Sequence, residues 1–193
     1  MLIDLKLRLF VAIAFSASSC ALAGQPSPEM LSFACGGCHG DDGASVGLSV
    51  PSFAGQQKDA FIQSMKEFKS GERPSTVMGR LAKGYTDAEF EAMAGFFAKQ
   101  KTFKTEQSVD NAKAAKGAQV AEQHCGKCHT DQGKTFKDEG TPIMAGQWLK
   151  YLQIQFEDYQ SGKRQMTKNM ANRMKLISAE EMDDLAHFYA SVK

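Results

Sequence analysis

A five-residue stretch occurs twice in this chain: Cys35-Gly36-Gly37-Cys38-His39 and Cys125-Gly126-Lys127-Cys128-His129. The copies are not isolated. Pro51 corresponds to Pro142 at an offset of 91, Ala54-Gly55-Gln56 to Ala145-Gly146-Gln147 at the same offset, and Thr86 to Ser178 at 92. A unit duplicated over most of its length has to fold twice into one local architecture. The repeat divides the chain into residues 24–100, a polar linker at 101–113 without apolar periodicity, and residues 114–193.

Each half reads as three helical segments. Pro28 and Glu29 suit the first turn of a helix running into Cys35, with Ala114 to His124 as its counterpart. A second segment carries Phe61, Met65 and Phe68 on one face, matched by Leu152, Phe156 and Tyr159. The third opens on a capping box in both halves, Thr86 with Glu89 and Ser178 with Glu181. Behind the boxes, Phe90, Met93, Ala94 and Phe97 align with Met182, Leu185, Ala186 and Tyr189 at helical spacing. Sustained period-two alternation is missing, so the expected fold is all-α with little or no sheet.

The repeated stretch is the attachment signature of c-type haem: two thiols for the porphyrin vinyl groups, and an adjacent His for the iron. A structural zinc site or two disulfides would use the same four cysteines, but neither requires a His directly after each pair. The expected cofactors are therefore two covalently bound haem c groups, on Cys35 and Cys38 and on Cys125 and Cys128, with His39 and His129 as iron ligands. At about 75 to 80 residues each half is small for a self-sufficient core, and the haem supplies the missing apolar mass.

The repeat also selects the opposite iron ligands from ten methionines. Met65, Met93, Met144 and Met182 each face another hydrophobe in the other copy, as core positions do. Only Met78 and Met170 are methionine in both halves, so they are the expected sixth ligands, with Met166 and Met174 kept as alternatives to Met170. His124 and His187 face Ala34 and Gly95 and read as ordinary histidines. An iron bound by His and Met has no open position for substrate, which points to single-electron transfer rather than oxygen or peroxide chemistry. Trp148 is expected in a packed core.

Residues 1–23 read as a signal peptide: Lys6 and Arg8, an apolar run from Leu9 to Phe15, and the cleavage site Ala21-Leu22-Ala23. That run is too short to span a membrane, and export places the protein in a periplasm. Cys20 falls before the cleavage site, and Ala17, three residues ahead of it, is not the residue a lipid anchor favours. The net charge of +1 excludes a strongly basic face for nucleic acid. A composition of 42% hydrophobic and 23% charged residues excludes a disordered chain.

Three further stretches carry a family resemblance: Ser70 to Asp87, Ala145 to Gln153, and Arg164 to Ala171. Over the mature chain the sequence resembles the dihaem cytochrome c subunit of flavocytochrome c sulfide dehydrogenase. It is more generally similar to free dihaem class I cytochromes c that carry electrons to terminal oxidases. The resemblance implies two tandem class I cytochrome c domains packed face to face about a pseudo-twofold axis. It implies that Pro51 and Pro142 accept a hydrogen bond from the iron-bound His. It also implies a flavoprotein (FAD) sulfide dehydrogenase subunit as partner and a small soluble electron acceptor such as a cytochrome c. No Gly-x-Gly-x-x-Gly fingerprint occurs here, so the flavin belongs to another chain and this one is a non-catalytic electron-transfer subunit.

Overall fold

A computed structural model describes residues 26–135 and 140–193. The leader, its cleavage site and Cys20 lie outside the described residues. Among those described there are eight α-helices and no strands. They are α1 (Pro28–His39), α2 (Lys58–Ser70), α3 (Met78–Leu81), α4 (Asp87–Phe97), α5 (Asn111–Val120), α6 (Leu149–Gln160), α7 (Lys168–Met174) and α8 (Ala179–Ser191).

Caps explain most of the boundaries. Ser27 accepts from the Met30 amide at the head of α1. The Asp110 carboxylate accepts from the amides of Ala112 and Lys113, so α5 starts at Asn111, three residues before the expected Ala114. Both capping boxes are complete, Thr86 with Glu89 and Ser178 with Glu181. Ser178→Ala should cost about 1 kcal/mol in thermal or urea unfolding. The backbone amides of Thr86 and Ser178 hold the Glu89 and Glu181 carboxyls below the usual range. A depressed carboxyl stabilises above its unfolded value and loses that contribution as pH falls through its folded value. Acid titration below about pH 4.3 should therefore weaken both boxes, and Glu181→Gln should flatten part of that slope.

Two features differ from the expectation. Each half holds four described α-helices rather than three, because the segments with Met78 and Met170 are helical as well. These helices have seven residues or fewer, too short to show periodicity. One starts where Thr167 accepts from the Met170 amide. The first helix of the second half also widens before the cysteines. Residues Ala121–Cys125 form a π turn, with the Gly126 amide donating to the Ala121 carbonyl. Cys35 to His39 lies within α1, whereas Cys125 closes that π turn and Gly126 to His129 follow it.

Two buried clusters result. One joins Leu31, Phe61, Met65, Phe90, Met93 and Phe97; the other joins Val120, Leu152, Phe156, Met182, Leu185 and Tyr189. In the second, α5 lies against α8 at Gly117, where a Cβ would overlap the Asp184 carbonyl. Gly117→Val must push these helices apart, at a cost of about 1–3 kcal/mol, measurable as a lowered urea midpoint.

The connecting segment is tied down rather than loose. Phe103 and Thr105 are buried, Thr105 Oγ1 donates to the Gly146 carbonyl, and Gln107 bonds the backbone of Gln147 and Leu149. Trp148 is buried as expected but serves the junction between the halves. Its indole N–H donates to the Ser45 carbonyl at 3.1 Å.

Candidate haem-binding sites

In the first half, α1 puts Cys35, Cys38 and His39 at positions i, i+3 and i+4, hence on one helix face. Both thiols are free. Cys35 is half-buried, and burial pushes its thiol up in pKa. His39 is buried, and its Nδ1 donates to the Pro51 carbonyl at 2.8 Å. The Phe53 ring packs against it, centroids 4.6 Å apart. Burial lowers the His39 pKa, partly offset by the Pro51 carbonyl. The ring is thus held neutral, with its Nε2 lone pair available to a metal.

The second site repeats the parts with a looser fit. The thiols of Cys125 and Cys128 are also free. The Cys125 thiol is raised by burial, opposed by its hydrogen bond with the Tyr189 hydroxyl. His129 is lowered by burial, and the Pro142 carbonyl is the group that offsets it. Yet the buried His129 Nδ1 lacks a hydrogen bond of full geometry. His124, inside the π turn, also has a buried, unpartnered Nδ1. His187 is structural: its Nδ1 accepts from the Asp110 amide at 2.9 Å.

Met78 opens α3, half-buried against the same apolar cluster as Cys35. Met170 lies in the first turn of α7, half-buried against the cluster that contains Cys125. Met174 is buried in that cluster, while Met166 packs on its edge, ahead of the helix.

Sequence reasoning missed a pair of arginines. Arg73 and Arg164 correspond at the offset of 91 that relates the prolines, which is the signal that could have found them. Arg73 is buried and donates to Ser64 Oγ, to the Tyr151 hydroxyl and to Gln155 Oε1; Arg164 donates to the same Gln155 oxygen. Their guanidinium carbons stand 4.6 and 4.5 Å over the rings of Phe68 and Tyr159. Burial, with Arg73 nearby, lowers the Arg164 pKa. Neither has a carboxylate partner within salt-bridge distance among the described residues. Unbridged thiol pairs, imidazoles shifted toward the neutral form by burial and half-buried thioethers fit haem. Among the described residues no three His, Cys, Asp or Glu side chains converge as a zinc site would need.

The cytochrome c family model matches residues 114–193. Cytochrome c4 of Pseudomonas aeruginosa is 30% identical over 170 residues, covering 85% of this chain and 83% of that protein. The cytochrome subunit of sulfide dehydrogenase from Chlorobaculum tepidum is 46% identical over 69 residues, 36% of this chain and 62% of that one. The crystal structure of reduced cytochrome c4 from Pseudomonas stutzeri superposes with a TM-score of 0.76 over 86% of this chain and 97% of its own, at 24% identity, a likeness of fold alone. With a cytochrome c4 relative matched along most of both chains and a haem-attachment motif in each half, this protein belongs to the dihaem class I cytochromes c, an electron carrier with two covalently bound haem c groups.

Proposed function

We propose that this chain is the electron-transfer subunit of a periplasmic flavoprotein sulfide dehydrogenase. It takes single electrons from a flavin-bearing partner and passes them to a small soluble acceptor such as a cytochrome c. Residues 24–100 and 114–193 each hold one haem. His39 and Met78 bind the first iron, His129 and Met170 the second, and the Pro51 carbonyl orients the first imidazole. Bound haem supplies one-electron chemistry; the thioether ligand raises its potential and closes the iron to substrate.

The observation that carries the sulfide dehydrogenase assignment is the 46% identity to the Chlorobaculum tepidum subunit, higher than the 30% to cytochrome c4. A second reading, a free dihaem carrier, is favoured by length, since the cytochrome c4 match extends over 85% of the chain. Purification from the native source, followed at flavin and haem wavelengths, separates the two. The subunit reading expects a flavoprotein to co-elute and sulfide to reduce both haems of the complex. A cytochrome that elutes alone and is reduced by sulfide with no flavoprotein present supports neither a partner nor this role.

A further inference from the structure

The peptide between Pro51 and Ser52 is hydrogen-bonded on both sides. Its carbonyl oxygen accepts from His39 Nδ1 at 2.8 Å. Its N–H, that of Ser52, donates at 3.0 Å to Oε1 of Gln147 in the other half. Gln147 Nε2 then donates to the Ser52 carbonyl at 2.8 Å. The mirror exchange is also present. The Ile143 N–H, in the peptide that carries the Pro142 carbonyl, donates to Gln56 Oε1 at 2.8 Å, and Gln56 Nε2 donates to the Ile143 carbonyl at 3.1 Å. Gln56 and Gln147 are equivalent in the repeat, as are Ser52 and Ile143. Each half thus grips the Pro51 or Pro142 peptide of the other half, and the Pro51 peptide orients His39.

The orientation of both amides is determined by their partners. Oε1 of each also accepts from the next residue's amide, Gln57 or Trp148, both at 3.1 Å. A flipped side chain would aim its NH2 at two N–H groups. Gly55 and Gly146, both at φ 70°, supply the left-handed turn that presents each glutamine.

A peptide transmits polarisation. A better acceptor on its N–H leaves more negative charge on its carbonyl oxygen, and chains of hydrogen bonds reinforce one another in this way. That oxygen draws harder on the imidazole proton, and a more basic ring binds metal more strongly and favours the oxidised ion. Gln147 and Ser52 are 4% and 2% exposed, so water does not compete for these bonds.

We infer that Gln147 tunes His39 and Gln56 tunes His129, so that each haem's potential is set in part by a glutamine of the opposite half. This rests on His39 and His129 being the iron ligands. The glutamines are positioning residues, and they couple both potentials to the docking of the halves. Because His129 Nδ1 lacks a hydrogen bond of full geometry, the Gln56 effect is the smaller.

The test is Gln147→Met in the two-haem protein, a substitution of similar size that cannot accept from Ser52. Redox titration is followed by NMR, each haem through its own hyperfine-shifted ligand resonances. At fixed potential the oxidised-to-reduced ratio of the first haem should fall about threefold, or roughly 30 mV for a one-electron couple. The His39 Nδ1–H resonance should move with it, while the second haem titrates as before. Gln56→Met should shift the second haem alone, in the same direction and by less. A junction merely loosened would move both haems in either variant, and that result overturns the inference. So does a shift confined to the variant's own half, or no shift. Should Gln147→Met fail to assemble, Gln56→Met, at the less buried position, decides. Failure of the ligand assignment looks different: the unaltered protein would then lack a hyperfine-shifted ring proton from His39 or His129.

Discussion

Met78→Leu should leave the first haem covalently attached while opening its iron to cyanide, imidazole or carbon monoxide. Leucine keeps the packing of a half-buried side chain against the first apolar cluster but removes the sulfur. The thioether is the ligand that favours ferrous iron, so its loss should lower the potential of that haem by on the order of 0.1 V, a fraction of the ~0.8 V commanded by axial ligands. The methionine–iron charge-transfer band should fall to half, and cyanide should bind one haem per chain. Unchanged ligand binding and potential would mean that another residue occupies the position. Met170→Leu asks the same of the second haem. There Met166→Leu is the control, because Met166 packs against the same cluster. Met174 is the weaker alternative, being buried within that cluster.

The second large effect is on folding. Cys125→Ser with Cys128→Ser should leave one haem per chain and unfold most of the second half. Below about 70–80 residues a protein core seldom supplies more than 3–5 kcal/mol, so losing the apolar surface of a covalent haem removes a comparable sum. The helices α5 to α8 should lose most of their ellipticity, while the spectrum of the first haem persists. The junction should weaken as well, since Trp148 and Gln147 belong to the half that unfolds. A single-haem chain with full helicity and an unchanged melting profile would show that the polypeptide core suffices without its cofactor.

Most of the local architecture was legible in the sequence. The capping boxes at Thr86 and Ser178 mark helix starts with residues adjacent to those starts, and the faces behind them repeat at 3.6-residue spacing. The thiol and imidazole groupings were legible for the same reason: they lie within about one helical turn of one another and so leave a contiguous signature. The choice of Met78 and Met170 needed the duplication, because a lone methionine looks like core.

What escaped that reading is contact across the halves. Trp148 reaches Ser45, Gln147 reaches Ser52, and Arg73 shares Gln155 with Arg164. Such partners lie some 80 to 100 positions apart and follow no helical or strand period. The short helices α3 and α7 escaped for a related reason: helices of seven residues or fewer do not hold by propensity alone and exist because tertiary packing supports them.

The sequence by itself determined the all-α duplicated fold and the thiol and imidazole positions of both paired motifs, because each depends on residues within a turn or two of one another. Only the tertiary structure decided that the two motifs are not equivalent. His39 makes its full hydrogen bond from within an α-helix, while His129 follows a π turn and does not. It also decided that the peptide behind each histidine is held by a glutamine of the other half, since that requires two surfaces to meet with their backbone groups in register.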